Sequence, residues 1–231
     1  MSIAPGLPTD RAVVERVVRE VITQRFGNGS VNHAVMAEPY RPNLVANISA
    51  RHMHIKQEHL EVLFGAGARL TSMRSLYQDG QFASEQTVAV IGPRRRMIPN
   101  MRILGPVRPD TQIELAFTDS IALGIDLPVR MSGKIDGTPG CVLMGPKGHL
   151  ALEKGLIRAE RHVHMHPRDA AYYGVKQGDH VRMRVESPCP MTFEGMVCRV
   201  DEAFKLEVHI DTDEGNACDL TNATHVELLK A

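Results

Sequence analysis

One pattern constrains this chain more than any other, because it occurs twice in the same setting. Arg51-His52-Met53-His54 and Arg161-His162-Val163-His164 lie about 110 residues apart, and each runs into a short apolar-faced helix closed by glycine. After the first, Leu60, Leu63 and Phe64 fall at i, i+3 and i+4, and Gly65 stops the helix. After the second, Pro167 takes a first-turn position and Gly174 ends the helix. Further on, each half carries a strand pattern with a metal-capable residue facing the same way, Gln112-Ile113-Glu114-Leu115 in one and Glu207-Val208-His209-Ile210 in the other. The agreement extends from motif to helix to later strand and points to duplicated units. The expected architecture is mainly β: two small β-barrel domains capped by short α-helices, arising from an internal repeat. The expected divisions are residues 1–42 for an N-terminal helix and linker, 51–159 for the first repeat, and 160–231 for the second, completed by a strand at 43–50.

Strand geometry gives the motif its chemistry. Side chains alternate faces, so His52 and His54 project to one side, and so do His162 and His164. Two imidazoles at i and i+2 can share a first-row metal such as zinc, with a third ligand from another strand. Glu114 and His209 suit that third position. A single His-x-His is more often a pair of surface or capping residues; two copies in matching contexts favour ligands. His166 precedes Pro167 and reads as a helix cap. His33, His59, His149, His180 and His225 have no partner in the pattern and read as surface histidines.

The remaining strands are expected at Asn43–Ser49, Thr87–Ile91, Ile103–Leu104, Gln112–Phe117, Val142–Leu143, Val181–Val185, Met196–Val200 and Leu206–Ile210, punctuated by Gly-Pro, Asp-Gly and Pro-Gly turns. Arg102 and Arg108 flank one such turn just ahead of Glu114. Arginine beside a metal points to an anionic substrate, because its planar fork pairs with phosphate oxygens. Arg94, Arg95 and Arg96 read as a solvated basic edge. The glycine-rich stretch from Met131 to Gly140 matches no phosphate-binding fingerprint and reads as turns. No Gly-x-Ser-x-Gly elbow is present, and no cysteine stands beside a histidine, so covalent catalysis finds no support.

Composition narrows the classes further. Lysine plus arginine equals aspartate plus glutamate at 27 each, and aromatics make up only 4% with no Trp, so neither nucleic acid nor an anionic membrane is an expected partner. No apolar run approaches the ~20 residues of a membrane span, and no secretory signal is expected. Cys141, Cys189, Cys198 and Cys218 are scattered and read as reduced thiols of a cytoplasmic protein. Residues 9–26 form an amphipathic helix with Val13, Val14, Val17, Val18, Val21 and Ile22 on one face, capped by Thr9 or Asp10 and stopped by Gly27-Asn28-Gly29. A Gly-, Asn- and Pro-rich linker follows as far as Pro42. This helix either packs on the body of the protein or docks to a partner.

Taken together, Ser49-Ala50-Arg51-His52-Met53-His54, the Tyr77–Ala83 turn, Arg102–Arg108, Met131–Gly140, Arg161–His164 and His209–Asn216 resemble the PduL-type phosphate propanoyltransferases. The likeness covers about residues 47–217. It implies an enzyme that exchanges the coenzyme A (CoA) of a short acyl thioester for phosphate inside a bacterial microcompartment, with two zinc ions per chain at the junction of two β-barrels. By the same resemblance His52, His54 and Glu114 hold one zinc, with the CoA sulfur completing its shell, and His162, His164 and His209 hold the other. Arg108 matches the phosphate-binding arginine, and Ser49, Arg74, Arg102, Leu104 and Asn216 fall where the family contacts CoA. Residues 9–26 match a helix that docks such enzymes to shell or cargo proteins, and a homodimer or higher homo-oligomer is expected.

Two alternatives belong to other classes. A cupin-like mononuclear metal enzyme would use His52, His54, Glu58 and Gly65, but Lys56 to Phe64 has helical spacing where a cupin needs strand, and Ala46 stands where a glycine is usual. A non-enzymatic assembly module would use the histidines only to staple two barrels together.

Overall fold

The computed structural model describes residues 11–26 and 40–230. The chain divides into two units, Met1–Tyr40 and Arg41–Ala231. In the first, α1 (Arg11–Phe26) leaves Val14, Val17, Val18 and Val21 about half exposed. The expected caps at Thr9, Asp10 and Gly27-Asn28-Gly29, and the linker up to residue 39 with His33, lie outside the described residues.

The second unit is mainly β. Its elements in chain order are β1 (Val45–Ser49), β2 (His52–His54), α2 (Gln57–Phe64), β3 (Ser72–Ser75), β4 (Phe82–Ile91), β5 (Met97–Gly105), β6 (Gln112–Glu114), α3 (Phe117–Leu123), β7 (Val129–Arg130), β8 (Cys141–Met144), β9 (His149–Leu152) and β10 (Leu156–Ala159). They continue with β11 (His162–Met165), α4 (Pro167–Tyr173), β12 (His180–Glu186), β13 (Met191–Val200), β14 (Glu207–Asp211), α5 (Thr212–Ala217), a single 3-10 turn (Leu220–Asn222) and β15 (His225–Lys230). Two curled half-barrel sheets result. One has nine strands in the order β7-β10-β6-β2-β5-β4-β8-β9, with β3 against β4; the other has six, in the order β1-β14-β11-β13-β12-β15.

Local chemistry explains the elements that carry the motif. In β12, Val181, Met183 and Val185 are buried while His180, Arg184 and Glu186 are exposed, the alternation of a strand covering one core. Pro167 opens α4 at a position that needs no backbone donor, and His166 caps it, its Nδ1 accepting from the Arg168 amide at 3.1 Å. Gly174 ends α4 with φ of 65°, a conformation that a Cβ penalises. Met53 and Val163, the central residues of the two motifs, are fully buried in separate cores. Met53 packs with Leu60, Leu63 and Ile103, and Val163 with Met183, Val208 and Ile210. Burying such a side chain is worth about 1.5–3 kcal/mol, and it fixes the opposite face of each strand, where the histidines stand.

The registers show the repeat in detail. In β2, His52 pairs with Glu114 and His54 with Gln112; in β11, His162 pairs with His209 and His164 with Glu207. β5 runs parallel to β2 as β13 does to β11. The strand ahead of each motif is exchanged. β1 precedes the first motif yet pairs with β14 in the six-stranded sheet, and β10 precedes the second yet pairs with β6 in the nine-stranded sheet.

Some expected boundaries change. The strand expected over Gln112–Phe117 ends at Glu114, and Phe117 instead opens α3, with Asp119 Oδ2 accepting from the Ala116 amide at 3.3 Å. The short stretch expected at Ile103–Leu104 is the end of a nine-residue strand. His59 is half-buried, not a surface residue, with Nδ1 2.9 Å from Thr111 Oγ1.

Candidate metal centre

β2 and β6 bring His52, His54 and Glu114 together, all buried, and β11 and β14 bring His162, His164 and His209 together, all half-buried. Within each group the ligand atoms lie within 4.8 Å of one another. The strand that precedes each motif orients its first histidine. His52 Nδ1 donates to the Ala50 carbonyl at 2.9 Å, and His162 Nδ1 to the Glu160 carbonyl at 2.7 Å. Each bond selects the Nδ1–H tautomer and leaves the Nε2 lone pair free for a cation.

Burial, with the charges of His52 and Arg108, pushes His54 down to about 3. Burial, together with His209, lowers His162 to about 4 and His164 to about 2. These rings are therefore neutral at physiological pH, the form that binds metal. Burial alone would raise Glu114, but the imidazoles of His52, His54 and His162 and a bond from Ser132 hold it well below the usual carboxylate range. His54 Nδ1 and both ring nitrogens of His164 are buried with no hydrogen-bond partner. Unpaired buried nitrogens are costly, and a shared cation would satisfy one nitrogen of each ring. Five imidazoles and one carboxylate form a donor set suited to zinc. The residues present fit two such ions.

The third ligand of each group has its own support, two residues earlier in its strand. Gln112 Nε2 donates to Glu114 Oε1 at 2.7 Å, while the Gly133 amide donates to Gln112 Oε1 at 2.7 Å. At the equivalent place Glu207 Oε2 stands 3.2 Å from His209 Nε2, and Glu207 accepts from Asn47 at 2.5 Å and Gln78 at 2.6 Å. An amide thus stands beside the candidate carboxylate ligand and a carboxylate beside the candidate imidazole ligand. The glycine-rich stretch near Gly133, expected to be turns, thus also serves the site. The arginine of each motif ties down a neighbouring helix: Arg51 pairs with Asp119 of α3 at 2.7 Å, and Arg161 with Glu214 of α5 at 3.4 Å.

A small crevice connects the two groups. Its walls include Ser49 with Ala159, Glu114 with His209, and Leu115 with Ile210, each pair occupying matching positions in the two halves. Arg108 is half-buried; its Nη2 donates to Gln81 Oε1 at 3.4 Å, and its charge acts on His54 and Glu114. Leu104 lies on β5, and its backbone acts on the titration of His54. Arg74, Ala83 and Leu104 form a row across β3, β4 and β5. Arg102 donates to the Ser84 and Glu85 carbonyls, Arg74 is exposed on β3, and Asn216 is exposed on α5. Those three stand outside the two ligand groups. Glu58, the strand ligand a cupin would need, is exposed on α2.

Two neighbours were not expected from the sequence. Phe204 stacks on His164 with ring centroids 4.1 Å apart, and Arg199 lies beside His164 in the register of β13 against β11. Applying the repeat to β5 would have marked position 199 as the counterpart of Leu104; nothing in the spacing marks Phe204.

The profile of one family, described as phosphate propanoyltransferase, matches residues 45–221. The chain is 58% identical to a phosphate propanoyltransferase of Planctopirus limnophila over 226 residues, 95% of this chain and 91% of that protein. It is 48% identical to one from Thermotoga maritima over 190 residues, 82% and 90% of the two chains, and 47% identical to one from Lachnoclostridium phytofermentans over 182 residues, 79% and 85%.

Proposed function

The chain belongs to the phosphate propanoyltransferase family, and from that premise we propose that it exchanges CoA and phosphate on a short-chain acyl group. Propanoyl-CoA or acetyl-CoA and phosphate give the acyl phosphate and free CoA. The observation that carries this is the pair of adjacent donor groups with Arg108 beside them. His52, His54 and Glu114 would hold one zinc, and His162, His164 and His209 a second. When bound, the two ions supply positive charge against the departing thiolate and the oxygen that becomes negative during acyl transfer.

The chain's own residues do the rest. The Arg108 guanidinium binds phosphate through paired N–H groups and aims an oxygen at the thioester carbonyl carbon, and Gln81 holds the far side of that guanidinium. Ser49, Arg74, Arg102, Leu104 and Asn216 receive CoA. Phosphate is the nucleophile, so no acyl-enzyme forms. Cys141 and Cys198 agree with this, since burial pushes the first up to about 12 and the second to about 11, leaving neither as a thiolate at neutral pH.

Residues 51–159 and 160–231 are copies of one unit in this proposal, the second completed by the strand at 43–50. The proposal extends to location. The half-exposed valines of α1 suit a helix that docks to shell or cargo proteins of a bacterial microcompartment, with the enzyme a homodimer or larger homo-oligomer.

Mixing the purified protein with propanoyl- or acetyl-CoA and phosphate and following free thiol tests the proposal. Thiol release should require phosphate, stop after chelation and return with zinc. Absence of phosphate-dependent release with every short acyl-CoA overturns it.

A further inference from the structure

We propose that Arg199 is a second phosphate-binding residue of this site, acting with Arg108 on the same anion. This inference rests on the transferase proposed above and adds a residue that the sequence motifs do not mark.

The repeat isolates Arg199 as a departure. β5 and β13 are equivalent strands, and Met53 pairs with Ile103 as Val163 pairs with Cys198. The next residue in each is Leu104 in the first half and Arg199 in the second. An apolar side chain therefore stands beside His54, and a guanidinium stands beside His164. The two halves share a ligand geometry and differ in what they place next to it.

Its surroundings favour an anion over a structural role. The guanidinium carbon lies 5.7 Å from the centre of the Phe204 ring, and that ring is stacked on His164. Phe204 thus shields the arginine on one side and ties its position to a ligand of the second group. Arg51, Arg158, Arg161 and Arg184 each pair with a carboxylate. Among the described residues Arg108 and Arg199 have no such pairing: Arg108 has only the long bond to Gln81, and Arg199 only the ring. Both are half-buried, and the charge of Arg199 is close enough to press down on Arg108, His162 and His164. Holding two like charges in partial burial, with only the Glu114 carboxylate nearby to offset both, is unfavourable. A doubly charged phosphate relieves both and can accept from two guanidinium forks through different oxygens. The position beside His164 and within reach of Glu114 is at the reacting end of the site. That location favours the transferred phosphate over the nucleotide phosphates of CoA.

The variants R199Q and R199K test this, alongside the wild type. Three measurements are needed: steady-state thiol release, calorimetric titration of inorganic phosphate into metal-loaded protein, and metal content. In R199Q the KM and the calorimetric Kd for phosphate should both rise about tenfold to a hundredfold, the effect of losing a charged hydrogen bond. The KM for propanoyl-CoA should stay within about twofold, metal content should be unchanged, and R199K should recover part of the phosphate affinity. Unaltered phosphate affinity in R199Q overturns the proposal. So does a rise confined to the KM for propanoyl-CoA, which would assign Arg199 to CoA, or a loss of metal in both variants, which would make it a support for His164. A wild-type protein without phosphate-dependent thiol release removes the transferase proposal itself; an active wild type with a kinetically normal R199Q removes only this one.

Discussion

Arg158 of β10 donates through Nε to Asp211 at the start of α5, at 2.7 Å, and so joins the exchanged strand of one sheet to the helix that follows the last ligand strand of the other. Its Nη2 also reaches Glu214 at 3.1 Å, and Asp211 is nearly buried. Replacing Arg158 by glutamine leaves the buried Asp211 without its cation and Glu214 with Arg161 alone. The expected loss is about 1.5–3 kcal/mol, seen as a lower urea midpoint with an unchanged slope.

Metal content should follow the two groups separately. Wild-type protein should carry two divalent ions per chain by elemental analysis. His54→Ala and His164→Ala should each lower this to about one, because two remaining donors hold a divalent ion poorly. The double variant should carry essentially none. A single ion in the wild type would contradict the two-site arrangement.

Arg108→Ala should separate binding from structure. Phosphate KM should rise by about tenfold or more, and metal content should remain that of the wild type. Loss of metal would instead mark Arg108 as a scaffold residue for His54.

Acid should destabilise the metal-free protein well before ordinary carboxylates titrate. His54, His162 and His164 have folded pKa values of about 3, 4 and 2, below the unfolded value of 6.5. Between those limits the unfolded chain binds more protons, so stability is fully present above pH 6.5 and falls as pH drops. Each such imidazole contributes up to about 1.4 kcal/mol per pH unit. Urea unfolding after chelation at pH 7.5 and pH 5.5 should show the difference, and His164→Phe should reduce it.

Gly215 offers a steric test of the exchange. A Cβ there would collide with Ile48 of β1. Gly215→Ala should cost about 1–3 kcal/mol despite the better helix propensity of alanine. Adding Ile48→Ala should restore part of that loss, a non-additivity expected only if the two positions are in contact.

The two groups of metal-capable residues that the fold brings together were legible in the sequence because a strand repeats every two residues and because the pattern was written twice. Glu114 and His209 could be chosen from many acidic and histidine residues only by comparing the two halves, and they occupy matching registers opposite His52 and His162. The helix opening at Phe117 was missed because the apolar run through Ile113 and Leu115 continues the strand pattern into it. The support of Glu207 by Gln78 was not legible, since it joins residues 129 apart that share no periodicity. Phe204 and Arg199 escaped for a related reason: their role depends on which strand lies beside β11, and pairing order is not written in local spacing. The exchange was half visible, with a strand at 43–50 assigned to the second repeat but its counterpart β10 unnoticed.

That exchange sets a schedule for the protein as it leaves the ribosome. β1 is made first among the described strands, yet its partner β14 is nearly the last, with Asn47 meeting Glu207 across 160 residues. Loop closure over such a span is slow, and the edge of β1 waits unpaired during most of synthesis. His52 and His54 likewise wait for β6, which β10 must flank. The first candidate group can assemble once β10 has been made, whereas the second waits for His209 near the end of the chain. A cation held by His162, His164 and His209 would therefore be enclosed only in the nearly finished chain, when β14 closes on β1.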